Sequence, residues 1–118
     1  MTSFTVFAFP RSRRLTRPDE FTRVFRQGRR ISAGSLQIVC APSEAGYARL
    51  GLAVAKRILP RAVDRNRAKR VIRESFRHQA ADLPPLDVVV TLRGGKIRGV
   101  PADMSNRLEA LWLRLATD

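Results

Sequence analysis

One segment of the chain is built to do a single kind of chemistry. Residues 61–77 contain Arg65-Asn66-Arg67-Ala68-Lys69-Arg70 and close with Arg73-Glu74-Ser75-Phe76-Arg77. A guanidinium forks onto phosphate oxygens and stacks on bases, which an ammonium does less well. If the segment is helical, Arg65, Lys69 and Arg73 stand four residues apart on one stripe, able to follow the curved backbone of a polyanion. Asn66 adds both a donor and an acceptor, so it can bond a base edge or a 2′-hydroxyl where arginine cannot. A second group is Phe21, Val24 and Phe25, on one helical face, with Arg23 and Arg26 beside them. An exposed ring can stack an unpaired base for about 1–3 kcal/mol with little sequence preference. Rings at this spacing more often mark ordinary core, and core is the reading that the residues alone favour.

Hydrolytic chemistry is poorly supplied. His78 is the one histidine and stands at the polar end of a basic helix, where solvent exposure is the rule. Cys40 is the one cysteine and reads as a core residue in a strand. No Cys/His metal spacing occurs, and the acids come singly or in no clamp-like pair. Gly94-Gly95-Lys96 lacks the full phosphate-loop spacing and reads as a turn. The chain is equipped to hold a polyanion and poorly equipped to cut one.

Composition supports that division. The 118 residues carry 23 Lys+Arg against 10 Asp+Glu, a formal charge of +13, with 44% hydrophobic residues. That is apolar enough for one folded domain over 1–118, with residues 1–15 as a basic N-terminal arm. No run of 18 apolar residues suggests a membrane span. The start has no secretory pattern, and a lone cysteine suits a reducing compartment, so a cytoplasmic location is expected. The positive residues concentrate at 11–30 and 61–77, while 86–118 is nearly neutral, a distribution that draws a polyanion to one surface.

The elements that must position these groups follow from pattern. Thr16-Arg17-Pro18-Asp19 predicts a helix start, with Thr16 as cap and Asp19 as the capping acid, and Gly28 predicts its end. Leu36 to Cys40 and Arg49 to Ala55 alternate as strands. Pro60 to about Ala81 predicts a long helix, with Ala68, Val71, Ile72, Ser75 and Phe76 on its core arc and the arginines opposite. Asp87 to Leu92 reads as a strand buried on both faces. Met104, Leu108, Leu111, Trp112 and Leu115 mark a final amphipathic helix. The order α-β-β-α-β-α predicts an α/β (α+β) two-layer sandwich whose mixed sheet contains a βαβ unit around the basic helix.

The arginine-rich string closely resembles the RNR signature of the bacterial ribonuclease P protein component. Its flanks fit in the same order: Phe9-Pro10-Arg11, Phe21-Thr22-Arg23-Val24-Phe25, Arg49 to Arg57, Leu83 to Val90, and the Leu111-Trp112 helix. The resemblance implies a small protein that binds a catalytic RNA and grips the 5′ leader of precursor tRNA. The RNA would cleave with Mg²⁺ that it mainly holds itself, and neither DNA nor a membrane would be a partner. It also implies a left-handed βαβ crossover of the kind known from a ribosomal-protein domain. Arg65, Asn66, Arg67, Lys69, Arg70 and Arg73 match the catalytic-RNA contacts. Phe21, Phe25, Arg23 and Arg26 match the leader cleft, and Lys56 and Arg57 are grouped with them. Some relatives carry a leader-cleft tyrosine at a position corresponding to about Val39, so their leader-base preference does not transfer. The alternative from another class is a general or ribosome-associated RNA-binding protein with no part in tRNA processing.

Overall fold

Three successive valines, Val88, Val89 and Val90, are all fully buried, and their strand is an inner one because both of its faces are covered. The computed structural model describes residues 11–117. In chain order these form α1 (Pro18–Gln27), β1 (Arg29–Ala33), β2 (Leu36–Pro42), β3 (Arg49–Ala53), α2 (Ala62–Gln79), β4 (Leu86–Leu92) and α3 (Met104–Thr117). The sheet order is β1-β2-β4-β3. β2 runs antiparallel to β1 and β4, with Cys40 opposite Val88, and β3 runs parallel to β4, with Leu50 opposite Val88. The β3-α2-β4 crossover is the βαβ unit expected around the basic helix, and the fold is the expected single α+β domain with a mixed sheet.

β1 is an element that the order read from the sequence lacks. Only Ile31 of its five residues is buried, so it has little apolar alternation to betray it. It pairs with β2 across a two-residue turn, Gly34-Ser35, with Ala33 opposite Leu36. Gly34 has φ 63°, the left-handed geometry that a tight hairpin turn requires.

Alternation along the strands sorts the side chains between two cores. Ile38, Cys40, Leu50, Val88 and Val90 face α2 and α3, where they meet Ala68, Ile72, Phe76, Leu108 and Trp112. Phe76 and Trp112 pack edge to face with ring centroids 5.8 Å apart, and the Trp112 indole N–H donates to Ser75 Oγ at 2.8 Å. Val39, Ala41 and Val89 face the other way, against Leu15 and Val24. α1 thus covers the second face of the sheet, opposite α2 and α3.

The basic helix keeps its expected core arc: Ala68, Ile72 and Phe76 are buried, with Val71 and Ser75 half-buried. It starts at Ala62 rather than in the turn containing Pro60, with Arg61 as N-cap. The start of α1 is also shifted by one residue. Arg17, not Thr16, is the N-cap, and Glu20, not Asp19, accepts the backbone N–H groups of Thr16 and Arg17 at 3.1 and 3.0 Å. Gly28 ends α1 as expected, its N–H donating to the Val24 carbonyl at 2.8 Å. A Cβ there would stand 2.5 Å from that oxygen and 2.8 Å from the Cys40 carbonyl, so the close passage needs glycine.

Of the basic arm read over residues 1–15, residues 1–10 lie outside the described residues. Arg11–Arg13 form a 3-10 turn, and Arg14 bridges in parallel to Leu50. The Leu15 N–H donates to the Leu50 carbonyl at 2.8 Å, and the Leu15 side chain is buried.

Candidate nucleic-acid interface

The outward face of α2 presents Asn66, Arg67, Arg70 and Arg73 to solvent, with Arg65 and Lys69 half-buried at its margin. Among the described residues, Arg67, Lys69, Arg70 and Arg73 form no ion pair. Arg77, by contrast, forks onto Glu74 with Nη2–Oε2 at 2.6 Å. The Arg77 and His78 bonds, the first the stronger, hold the Glu74 carboxyl below its usual range. Arg65 differs from its neighbours. Its Nη1 donates to the carbonyls of Leu59 and Pro60 at 2.9 and 2.8 Å, so it ties the helix to the turn that precedes it.

Beside the outer edge of β3, where Arg14 bridges to Leu50, α1 and α2 contribute to one site. A cleft of about 290 Å³ lies there, lined by Arg14, Leu15, Phe21, Leu52, Lys69 and Arg73, with Thr16 and Leu50 completing it. The structure therefore brings Phe21 together with Lys69 and Arg73, which the sequence assigned to different tasks. Phe21 and Phe25 are both half-buried against the Leu15–Val24 core, and Phe21 is the one that lines the cleft. Gly51 makes room for it: a Cβ at Gly51 would stand 2.9 Å from Phe21 Cζ. Val39, near which the resemblance would put some relatives' leader-cleft tyrosine, is fully buried beneath α1 and offers no stacking surface.

The remaining leader candidates separate. Arg26 is exposed on the last turn of α1. Arg23 donates to the Pro42 carbonyl at 3.3 Å and pairs with Asp87, so its guanidinium is already engaged. Lys56 and Arg57 are exposed in the turn between β3 and α2, apart from the cleft lining.

Sequence reasoning missed the polar network that sets the pose of α1. Asp87, 0% exposed, accepts two N–H bonds from Arg49 at 2.8 Å, and Arg49 Nη1 reaches Glu20 Oε2 at 3.2 Å. The hydrogen bond to Asp87 raises the Arg49 pKa against its desolvation. Burial pushes the Glu20 carboxyl up, but the Arg17 and Thr16 backbone N–H groups, with Arg49, overcome it and hold the group below its ordinary value. The network joins residues up to 67 positions apart, and no local spacing announces it. Nor did any signal mark the docking of Arg14 and Leu15 along β3.

An exposed cationic helix beside a cleft with an aromatic wall, on a mixed sheet, defines a class: a small α+β protein built to hold nucleic acid. Comparison with known proteins narrows this. The Ribonuclease P family profile matches residues 9–116, and the chain belongs to that family. The ribonuclease P protein component of Photorhabdus laumondii is 44% identical over 107 residues, covering 91% of this chain and 90% of that one. That of Thioalkalivibrio sulfidiphilus is 42% identical over 109 residues, covering 92% and 91%. The Staphylococcus aureus RNase P protein superposes with TM-score 0.76 at 27% identity, over 88% of this chain and 94% of that one. The Thermotoga maritima RNase P protein superposes with TM-score 0.68 at 24% identity, over 89% and 96%, a likeness of fold. Family membership makes this chain the protein part of an endoribonuclease particle whose partner is RNA.

Proposed function

We propose that the outward face of α2 holds the catalytic RNA of the particle and that the cleft beside Phe21 receives the 5′ leader of precursor tRNA. The observation that carries this reading is the sharing of Lys69 and Arg73 between the basic helix face and the aromatic cleft. One continuous surface can then clamp two strands: phosphates on the arginines, and an unpaired base against the Phe21 ring. Asn66, Arg67 and Arg70 contact the catalytic RNA directly. Arg65 acts chiefly by fixing the helix start. Phe25 and Arg26 extend the leader path along α1, and Arg23 serves it indirectly by holding α1 on the sheet.

Among the described residues, no group of three or more His, Cys, Asp or Glu side chains could hold a metal ion. Asp87 and Glu20 are turned onto arginines instead. We assign the Mg²⁺ of the reaction to the RNA. No helix among the described residues is long and apolar enough to cross a membrane, and the reading places the particle in the cytoplasm. The test is cleavage of precursor tRNA at low Mg²⁺ by protein alone, RNA alone, and both together. The reading requires efficient cleavage only from the pair. Cleavage by rigorously RNA-free protein would overturn it, as would binding to ribosomal RNA with no gain in processing.

A further inference from the structure

One wall of the Phe21 cleft belongs to no helix or strand. Arg14, Leu15 and Thr16 line it, on the short strap of chain that leads from the 3-10 turn into α1. The strap runs along the outer edge of β3. An edge strand exposes backbone groups that lack a partner, and here the Leu15 N–H supplies one to the Leu50 carbonyl at 2.8 Å. The other walls come from α1, β3 and α2, which sheet pairing and core packing hold in place. The strap has less to fix it, so its anchors decide where that wall stands.

At the α1 end the anchor is Glu20, whose Oε1 accepts the Thr16 N–H at 3.1 Å. At the other end it is the loop 43–48 that joins β2 to β3. The Arg13 guanidinium lies over the Tyr47 ring, its carbon 4.9 Å from the centroid, and its Nη1 donates to the Ala48 carbonyl at 3.2 Å. The Tyr47 hydroxyl donates to the Ser12 carbonyl at 3.3 Å. The loop can bear this load because it is fixed in turn. The Ser43 N–H donates to the Pro85 carbonyl at 2.9 Å, and Ala48 is buried. A separation of 3.3 Å is long for an O–H···O bond, whereas a cation attracts a ring out to about 6 Å. The ring of Tyr47, more than its hydroxyl, therefore holds the strap.

We propose that Tyr47 is a positioning residue for the leader cleft: by holding Arg13 and Ser12 it sets the strap as the cleft wall that faces the leader. Tyr47 does not line the cleft itself and acts on it only through the strap. This rests on the reading of the cleft as the leader site.

The test uses Tyr47→Ala and Tyr47→Phe, each assembled with the catalytic RNA, and measures binding of precursor tRNA with and without its leader. Tyr47→Ala is expected to lower affinity for the leader-bearing substrate by about two- to fivefold, the worth of one exposed cation–π contact. It leaves affinity for leaderless tRNA and for the catalytic RNA unchanged, and it speeds amide exchange at Leu15 in the free protein. Tyr47→Phe keeps the ring and stays close to the unaltered protein in every measurement. A merely structural role would lower the urea midpoint without separating the two substrates. An unchanged affinity for the leader-bearing substrate in Tyr47→Ala, or an equal loss for both substrates, overturns the proposal. So does a Tyr47→Phe protein as weak as Tyr47→Ala, since the ring is then not the anchor. Phe21→Ala, measured alongside, separates this proposal from the reading beneath it. If Phe21→Ala weakens leader binding and Tyr47→Ala does not, only the positioning role fails. If neither does, the cleft is not the leader site.

Discussion

The guanidinium of Arg49 forks onto the buried carboxylate of Asp87, Nε to Oδ1 and Nη2 to Oδ2, both at 2.8 Å. Asp87 is the second residue of the inner strand β4 and Arg49 opens β3, so the pair locks the start of the parallel strands. Through Glu20 and Arg23 it also fixes α1 above them. Arg49→Ala leaves the Asp87 carboxylate buried with Arg23 as its remaining side-chain partner. Breaking a buried pair in this way costs about 3–5 kcal/mol, read as a lower urea midpoint with an unchanged slope. Arg49→Lys keeps the charge without the fork and falls between the two.

Glu20 supplies a pH dependence. Its folded carboxyl titrates below its ordinary value, because the Arg17 and Thr16 N–H groups and Arg49 outweigh burial. The unfolded chain therefore binds the proton first, and stability from this group is full above the unfolded pKa. It is lost as pH falls through the lower folded value. Urea unfolding from pH 6 down to pH 3 is expected to show a decline in stability that is shallower in Glu20→Gln. Equal declines in the two proteins would remove Glu20 from the explanation.

Gly51 is the floor under Phe21. A methyl group there would press within 2.9 Å of the ring and 3.1 Å of Leu15 Cβ. Gly51→Ala is expected to cost about 1–3 kcal/mol through overpacking and to push the Phe21 ring outward. The aromatic resonances of Phe21 report the movement, and leader affinity in the assembled particle changes with it.

Phe21 and Phe25 divide core from contact. Phe21 lines the cleft while Phe25 packs beside it. Phe21→Ala is expected to weaken binding of leader-bearing precursor tRNA by about 1–3 kcal/mol, with much less effect on tRNA lacking a leader. Phe25→Ala is expected to lower both stability and leader binding. A purely thermal effect from both variants would make the two rings core and nothing more.

Much of this was legible because local pattern and burial agree. The α2 arc from Ala68 to Phe76 and the valine run of β4 face the core as their spacing requires. β1 hid because Arg29, Arg30, Ser32 and Ala33 give an edge strand no apolar rhythm, although Gly34-Ser35 was a usable turn signal. The helices were legible but not their distribution over both faces, which depends on Val39 and Val89 being buried beneath α1. The basic helix could be picked out as a set of side chains. Only the fold could show that Arg65 and Arg23 are tied to the protein itself, and that Lys69 and Arg73 turn toward Phe21.

The most direct test of the central claim is the affinity of the protein for the catalytic RNA measured across salt, with Arg67→Ala/Arg70→Ala alongside. Both residues are exposed, and Arg70 is a cleaner probe than Arg65, which braces the helix start. With six to ten phosphate contacts, affinity is expected to fall by roughly 10³–10⁵ between 50 and 200 mM salt. The double variant is expected to bind more weakly, with a salt slope reduced by about 2 and unchanged stability. An unaltered slope and affinity in a folded double variant would contradict the assignment of α2 as the RNA-holding face.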